Sequence, residues 1–192
     1  MFRKNQIAKF FLAAVLLLVF SSGIIMAANL HGYWALDETS GTIAYDTGDL
    51  QLYDAACQGG LSFTNDSVGG HFGTAIDFDG IDDGIQIPAL NLNSNTVTIT
   101  AWVKRASSQG YWPGIVNART TNTIAGMQID GETNNNLRYC WNDGGAETWG
   151  WNSGLVVPEN TWTFCALVIE PSKATMYMDS GRNEFGNQQC YA

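Results

Sequence analysis

Two groups of acidic side chains and a set of tryptophans have the types and spacing to do chemistry in this chain. Asp37, Glu38, Asp46 and Asp49 crowd four carboxylates into one short stretch. Calcium takes six to eight oxygen ligands from carboxylates, amides and carbonyls, so these four are the expected Ca2+ set. A second group, Asp77, Asp79, Asp82 and Asp83, reads Asp-x-Asp-Gly-x-Asp-Asp. It is not an EF-hand loop, because it lacks that motif's spacing and closing Glu, and Asp79-Gly80 reads as a tight turn. The expected carbohydrate-binding residues are Trp112, Trp141, Asn142, Asp143, Trp149 and Trp151. A flat ring covers the apolar face of a sugar while neighbouring amides and carboxylates bond its hydroxyls. Trp149 and Trp151 are two apart, which puts both rings on one face of a strand. The same rings also suit the core of a sandwich. The chain has only two histidines, His31 and His71, and neither lies in a Ser or Cys nucleophile motif. Both read as exposed loop residues, and no catalytic residue is assigned.

The 192 residues that must position these groups carry 9 basic and 18 acidic side chains, a formal charge of -9. That balance argues against a nucleic-acid partner, which needs clustered Lys and Arg. With 14% charged and 12% aromatic residues the chain is neither disordered nor a coiled coil. The N-terminus has its own character. Arg3, Lys4 and Lys9 precede an apolar run from Phe10 to Val19, and small residues follow at Ala27-Ala28. This is the pattern of a secretory signal peptide, assigned to residues 1–27; an uncleaved anchor is the alternative, and would be the chain's one attachment to a membrane. Either way the remainder lies outside the cytoplasm, secreted or at the cell surface. Removing three of the nine basic residues leaves six against eighteen acidic ones, or -12. Cys57, Cys140, Cys165 and Cys190 all fall in the exported part, where disulfides are expected, with three connectivities open; a buried free thiol is the alternative at Cys165.

From residue 29 onward the chain reads as strands and turns. Val97 to Lys104 alternates β-branched and aromatic types. Ala75–Phe78, Ile85 with Ile87, Ile124–Ile129, Thr161–Ile169 and Ala174–Met178 are further strands, Thr161–Ile169 reading as buried on both faces. Asp-Gly and Ser-Gly pairs punctuate them. Trp34, Trp102 and Trp162 lie in apolar strands and read as core. Short strands with Gly and Asp turns predict an all-β jelly-roll sandwich of two antiparallel sheets, in one domain over residues 29–192.

The order of segments resembles that of bacterial laminin-G-like, concanavalin A-like jelly-roll domains. Tyr33 to Thr42 is similar to the family's opening, an aromatic strand, an acidic residue and Ser-Gly-Thr; Asp46 to Asp49 falls at its acidic turn. Phe72 to Ile85 resembles its G-x-A-x-x-F-D-G-x-D-D-x-V segment, Thr98 to Lys104 its T-I-S-A-W-V-K strand, and Asn160-Thr161-Trp162 its N-T-W motif. Met176 to Asp179 follows as its L-Y-V-D strand. The family's closing strand has no counterpart after Gly181, so a fragment of a longer product is expected. Gln128-Ile129-Asp130-Gly131-Glu132 resembles the E-x-D-x-E strand of glucanases with this fold, but an amide, which cannot attack an anomeric carbon, replaces the first carboxylate. The resemblance implies a non-catalytic module that recognises polysaccharide or glycoconjugate, with structural calcium. A protein-binding adhesion module, with a surface-protein partner, and a degenerate glycoside hydrolase are the alternatives.

Overall fold

The computed structural model describes residues 7–12, 16–17, 29–106, 113–119, 123–131, 134–143, 149–178 and 188–189. Strands dominate, and every strand pair is antiparallel. Period-2 alternation sets their faces. In Val97–Lys104, Ile99, Ala101 and Val103 turn inward, and Thr98, Thr100, Trp102 and Lys104 turn outward. Trp162–Glu170 pairs along its length with that strand and sends Cys165, Leu167 and Ile169 to the same core. It turns through Pro171-Ser172 into Lys173–Met178, and a Lys173–Glu170 ion pair of 3.0 Å spans the turn. Trp162–Glu170 therefore alternates: on its outer side Ala166 is buried but Trp162, Phe164 and Val168 are half-buried, so it does not bury both faces throughout.

These strands form part of a seven-stranded sheet in the order Gln188–Gln189, Lys173–Met178, Trp162–Glu170, Val97–Lys104, Ile7–Leu12, Thr74–Phe78, Ser67–Gly69. Two smaller sheets pack on its inner face. A four-stranded sheet (Gly114–Arg119, Thr123–Asp130, Asn136–Asp143, Trp149–Val156) contributes Met127, Ile129, Leu137, Tyr139 and Leu155 to the main core. A three-stranded sheet (Ile43–Ala44, Ala55–Gln58, Gly84–Gln86) encloses a second core around Trp34, Phe63, Ile76 and Phe78. Phe63–Asp66 is a single helical turn, and Leu16–Leu17 pairs with Asn29–Leu30. The architecture is all-β and consistent with a jelly-roll sandwich.

Ile7–Leu12, part of the segment read as an export leader, is a strand inside the large sheet. Among the described residues no helix is long and apolar enough to cross a membrane. Cys57, Cys140 and Cys165 are free thiols, so the expected disulfides do not form among them. Alternation separates the three. Cys165 faces the main core, Cys140 the opposite side of the four-stranded sheet, and Cys57 packs against the second core. Cys190 lies outside the described residues.

Candidate functional site

The four-stranded sheet carries a polar row on the face turned away from the core. Because Met127 and Ile129 point inward, Gly126, Gln128 and Asp130 occupy the other side. Register brings Arg138 opposite Gln128, and Asn152 opposite Arg138. The Asn152 amide donates to Asp130 Oδ2 at 2.7 Å. Asp130 is only 4% exposed and Gln128 8%, whereas Asn152 is exposed and Arg138 half-buried. Asn136, buried, stands opposite Asp130. One carboxylate, one guanidinium and three amides thus share one sheet face, with Asn152 at its open edge.

The neighbouring row is small. Asn117, Gly126, Cys140 and Gly150 lie side by side across the four strands. A Cβ at Gly126 would stand 2.1 Å from the Val116 carbonyl oxygen and 2.8 Å from Asn117 Cα. Only glycine lets the edge strand approach this closely, and it keeps the floor beside the polar row flat. Cys140 Sγ lies 3.8 Å from Asn117 Oδ1. Burial pushes its thiol pKa up, partly offset by the Gly126 backbone and the Arg138 charge.

Donors and acceptors of mixed sign on a firm sheet suit the hydroxyls of a sugar. Retaining hydrolysis would need a second carboxylate about 5 Å away. The described residues paired with Gln128 are Gly114 and Arg138, neither of them acidic. Asp130 ends the Thr123–Asp130 strand, buried, and the chain turns at Gly131.

The expected sugar-binding set is only partly described. Trp141 pairs with Trp149, and Tyr139 with Trp151. Trp151 is half-buried and packs against the main core, so it is no exposed platform. Trp112 and the side chains of Trp141, Asn142, Asp143 and Trp149 lie outside the described residues. Sequence reading singled out Gln128 and Asp130 but missed Arg138 and Asn152, which strand register alone brings to them.

An aromatic cluster stands on the outer face of the large sheet, away from the polar row. Trp102, expected in the core, faces outward beside Phe164 at 5.5 Å. His71 is an exposed loop residue, as expected, and its ring stacks on Trp102 at 3.7 Å and 17°. Phe72 meets both edge-on and is 66% exposed. His31 also has partners: its Nε2 lies 3.2 Å from Tyr53 Oη and 3.3 Å from the Leu90 carbonyl.

The four acids expected to bind calcium do not converge. Asp46 is buried and accepts four backbone N–H groups, Tyr33 (3.0 Å) and Gly48 (2.9 Å) on Oδ1, Leu52 (3.1 Å) and Tyr53 (3.2 Å) on Oδ2. Burial alone would raise its pKa, but these amides together hold it below the ordinary carboxylate value. Asp37 accepts from Thr74, Glu38 from the Tyr45 amide, and Asp49 from the Leu30 amide. Each of the four thus fastens a backbone segment, while Glu38 Oε2 is buried without a hydrogen-bond partner. Among the described residues the acids that do cluster are Asp79, Asp82 and Asp83, with one oxygen of each within 4.8 Å of the others. The loop folds on itself through Asp79 N to Asp83 Oδ2 (2.9 Å) and Ile81 N to Asp79 Oδ1 (2.8 Å). Burial, and then the charges of Asp79, Asp66 and Asp82, raise the Asp83 pKa against the hydrogen bond from Asp79 N.

A sandwich of this kind, with a polar face on one sheet, is the architecture of lectin-like domains. The chain belongs to the concanavalin A-like lectin/glucanases superfamily, whose laminin-G family model matches residues 79–184. A solved structure similar to it is Domain 4 of AbnA, a GH43 extracellular arabinanase from Geobacillus stearothermophilus, in complex with arabinotriose. That similarity is 18% identity over 95% of this chain and 79% of that one, with a TM-score of 0.49. No curated protein matches the chain.

Proposed function

We propose that this domain is a non-catalytic carbohydrate-recognition module acting outside the cytoplasm, and that it seats a neutral glycan on the polar face of the four-stranded sheet. The observation that carries this reading is the Asp130–Asn152 contact at 2.7 Å beside Gln128 and Arg138. A buried carboxylate held by an exposed amide presents a fixed acceptor with a donor beside it, the pattern that orients sugar hydroxyls. The net charge of -9 disfavours acidic glycans. The basic and apolar N-terminus supports export. Calcium belongs to the proposal at Asp79, Asp82 and Asp83, whose hard oxygen donors suit it.

The test is a panel of neutral, acidic and amino oligosaccharides titrated against the full chain, with and without calcium. Asn152→Ala is expected to weaken neutral-glycan binding at least tenfold while leaving the melting temperature within a few degrees. Absence of binding to every neutral glycan would overturn the reading. The second reading, a protein partner docked on the aromatic cluster, is favoured by Phe72 at 66% exposure beside Trp102. Phe72→Ala separates the two, because it would abolish protein docking and leave glycan binding at the polar row intact.

A further inference from the structure

Two glycines of the four-stranded sheet make room for one amide. In the edge strand Gly114–Arg119, Gly114 pairs with Gln128, Val116 with Met127 and Asn117 with Gly126. Ile115 and Val116 together oppose Met127, which is a β-bulge, and Ile115 packs on the main core. In a regular strand residues three apart face opposite sides. The bulge puts Gly114 and Asn117 on one side, that of the polar row. The Asn117 side chain then lies across both glycines. A Cβ at Gly114 would fall on Asn117 Nδ2, and one at Gly126 would stand 2.8 Å from Asn117 Oδ1. Gly114 has no positive φ to call for glycine, so what its missing side chain provides is this space. The Cys140 thiol donates to Asn117 Oδ1 at 3.8 Å, which leaves Nδ2 and its two N–H groups over Gly114.

Gln128 is the second observation. It stands directly opposite Gly114 and is only 8% exposed, and among the described residues nothing hydrogen-bonds its carboxamide. A nearly buried amide without partners is costly until a ligand or water completes it. Directly paired side chains start about 4.5–5.5 Å apart, so Asn117 Nδ2, in the place of the missing Gly114 side chain, faces Gln128. We propose that Asn117 and Gln128 form a second sugar subsite over Gly114, and that the ligand is an oligosaccharide lying across the strands. This rests on the carbohydrate-recognition reading above. Asn117 and Asn152 stand on the two edge strands, three interstrand spacings or about 14 Å apart across the sheet. A single sugar ring does not reach both. Asn117 offers N–H donors to a hydroxyl or ring oxygen, and Gln128 offers a donor and an acceptor. Arg138, opposite both Gln128 and Asn152, bridges the two subsites. Gly114 is a positioning residue, acting through Asn117.

The experiment titrates the full chain with mono- to tetrasaccharides of glucose, xylose and arabinose units. In the series that binds, affinity is expected to rise about tenfold or more from mono- to trisaccharide. Asn117→Ala, and Asn117→Asp with the same shape but no N–H donors, are each expected to bring that ratio close to one. Gly114→Ala is expected to do the same, because its methyl displaces the tip of the Asn117 side chain and not backbone. Gly114→Ala combined with Asn117→Ala is expected to lose no more than either alone, as for two residues acting through one contact. A trisaccharide ratio unchanged in these variants, or a monosaccharide bound as tightly as the trisaccharide, would overturn the subsite and leave recognition at Asp130 and Asn152 standing. A wild-type chain that binds no member of any series would overturn the carbohydrate reading, and the subsite with it.

Discussion

Replacing Asp46 with Asn tests whether this acid organises backbone or holds a metal. Its carboxylate accepts from four main-chain amides at 2.9–3.2 Å while only 4% exposed. In Asp46→Asn one oxygen becomes an NH2 group, and whichever way the amide turns, two of the four N–H groups face a donor. A hydrogen bond to a charged acceptor contributes roughly 1.5–3 kcal/mol, and a buried N–H left unpaired costs about 1–3 kcal/mol. Allowing for relaxation, the loss is about 3–4 kcal/mol, or roughly 10 °C in melting temperature for a domain of this size. The pH dependence has a definite sign. The folded pKa lies below the ordinary 3.8, so this stabilisation is fully present above about pH 4–5 and is lost as pH falls through the folded value. The gap between wild type and Asp46→Asn should therefore be constant from roughly pH 5 to 8 and narrow below pH 4. Urea melts across that range, each repeated with a calcium chelator, measure it. A loss under about 1 kcal/mol, or one that appears only with calcium present, would refute the backbone-clamp reasoning.

Gly126→Ala should destabilise the domain by about 2 kcal/mol, because the new methyl meets the backbone of Val116 and Asn117, which cannot yield as a side-chain tip would. Thermal melts check this, and an unchanged melting temperature would mean the edge strand shifts freely. Cysteine alkylation at pH 8 should label Cys57 first and Cys165 only on unfolding. Cys165 is fully buried with its thiol pKa pushed up to about 12, so almost no thiolate exists there, while Cys57 is half-buried. Mass spectrometry of the labelled peptides reads the order, and early labelling of Cys165 would contradict the packing.

The strands were legible wherever alternation and β-branching coincide, as in Val97–Lys104, Thr74–Phe78 and Lys173–Met178. Trp34 reads correctly as core at 1% exposure. Trp102 does not, because an aromatic in an apolar strand is ambiguous until parity is known, and here Ala101 and Val103 take the inner face. The short acidic stretch at Asp37–Asp49 suggests ligands because composition shows oxygens without showing which backbone amides already occupy them. Asp130 was visible in its strand, but Arg138 and Asn152 reach it only through the register of two further strands, a non-local relation that spacing along one chain does not contain. The Asn136–Asp143 and Trp149–Val156 strands carry polar and glycine residues that blur their periodicity.

The central place of Ile7–Leu12 also sets a clock. Lys9 leaves the ribosome first, yet its strand partner Lys104 is made 95 residues later. At about 5–20 residues per second, that is a delay on the order of 5 to 20 seconds before the segment can be paired on both sides, its other partner Thr74–Phe78 being made earlier. During that interval the segment is an incompletely paired strand that must stay soluble or find a temporary cover.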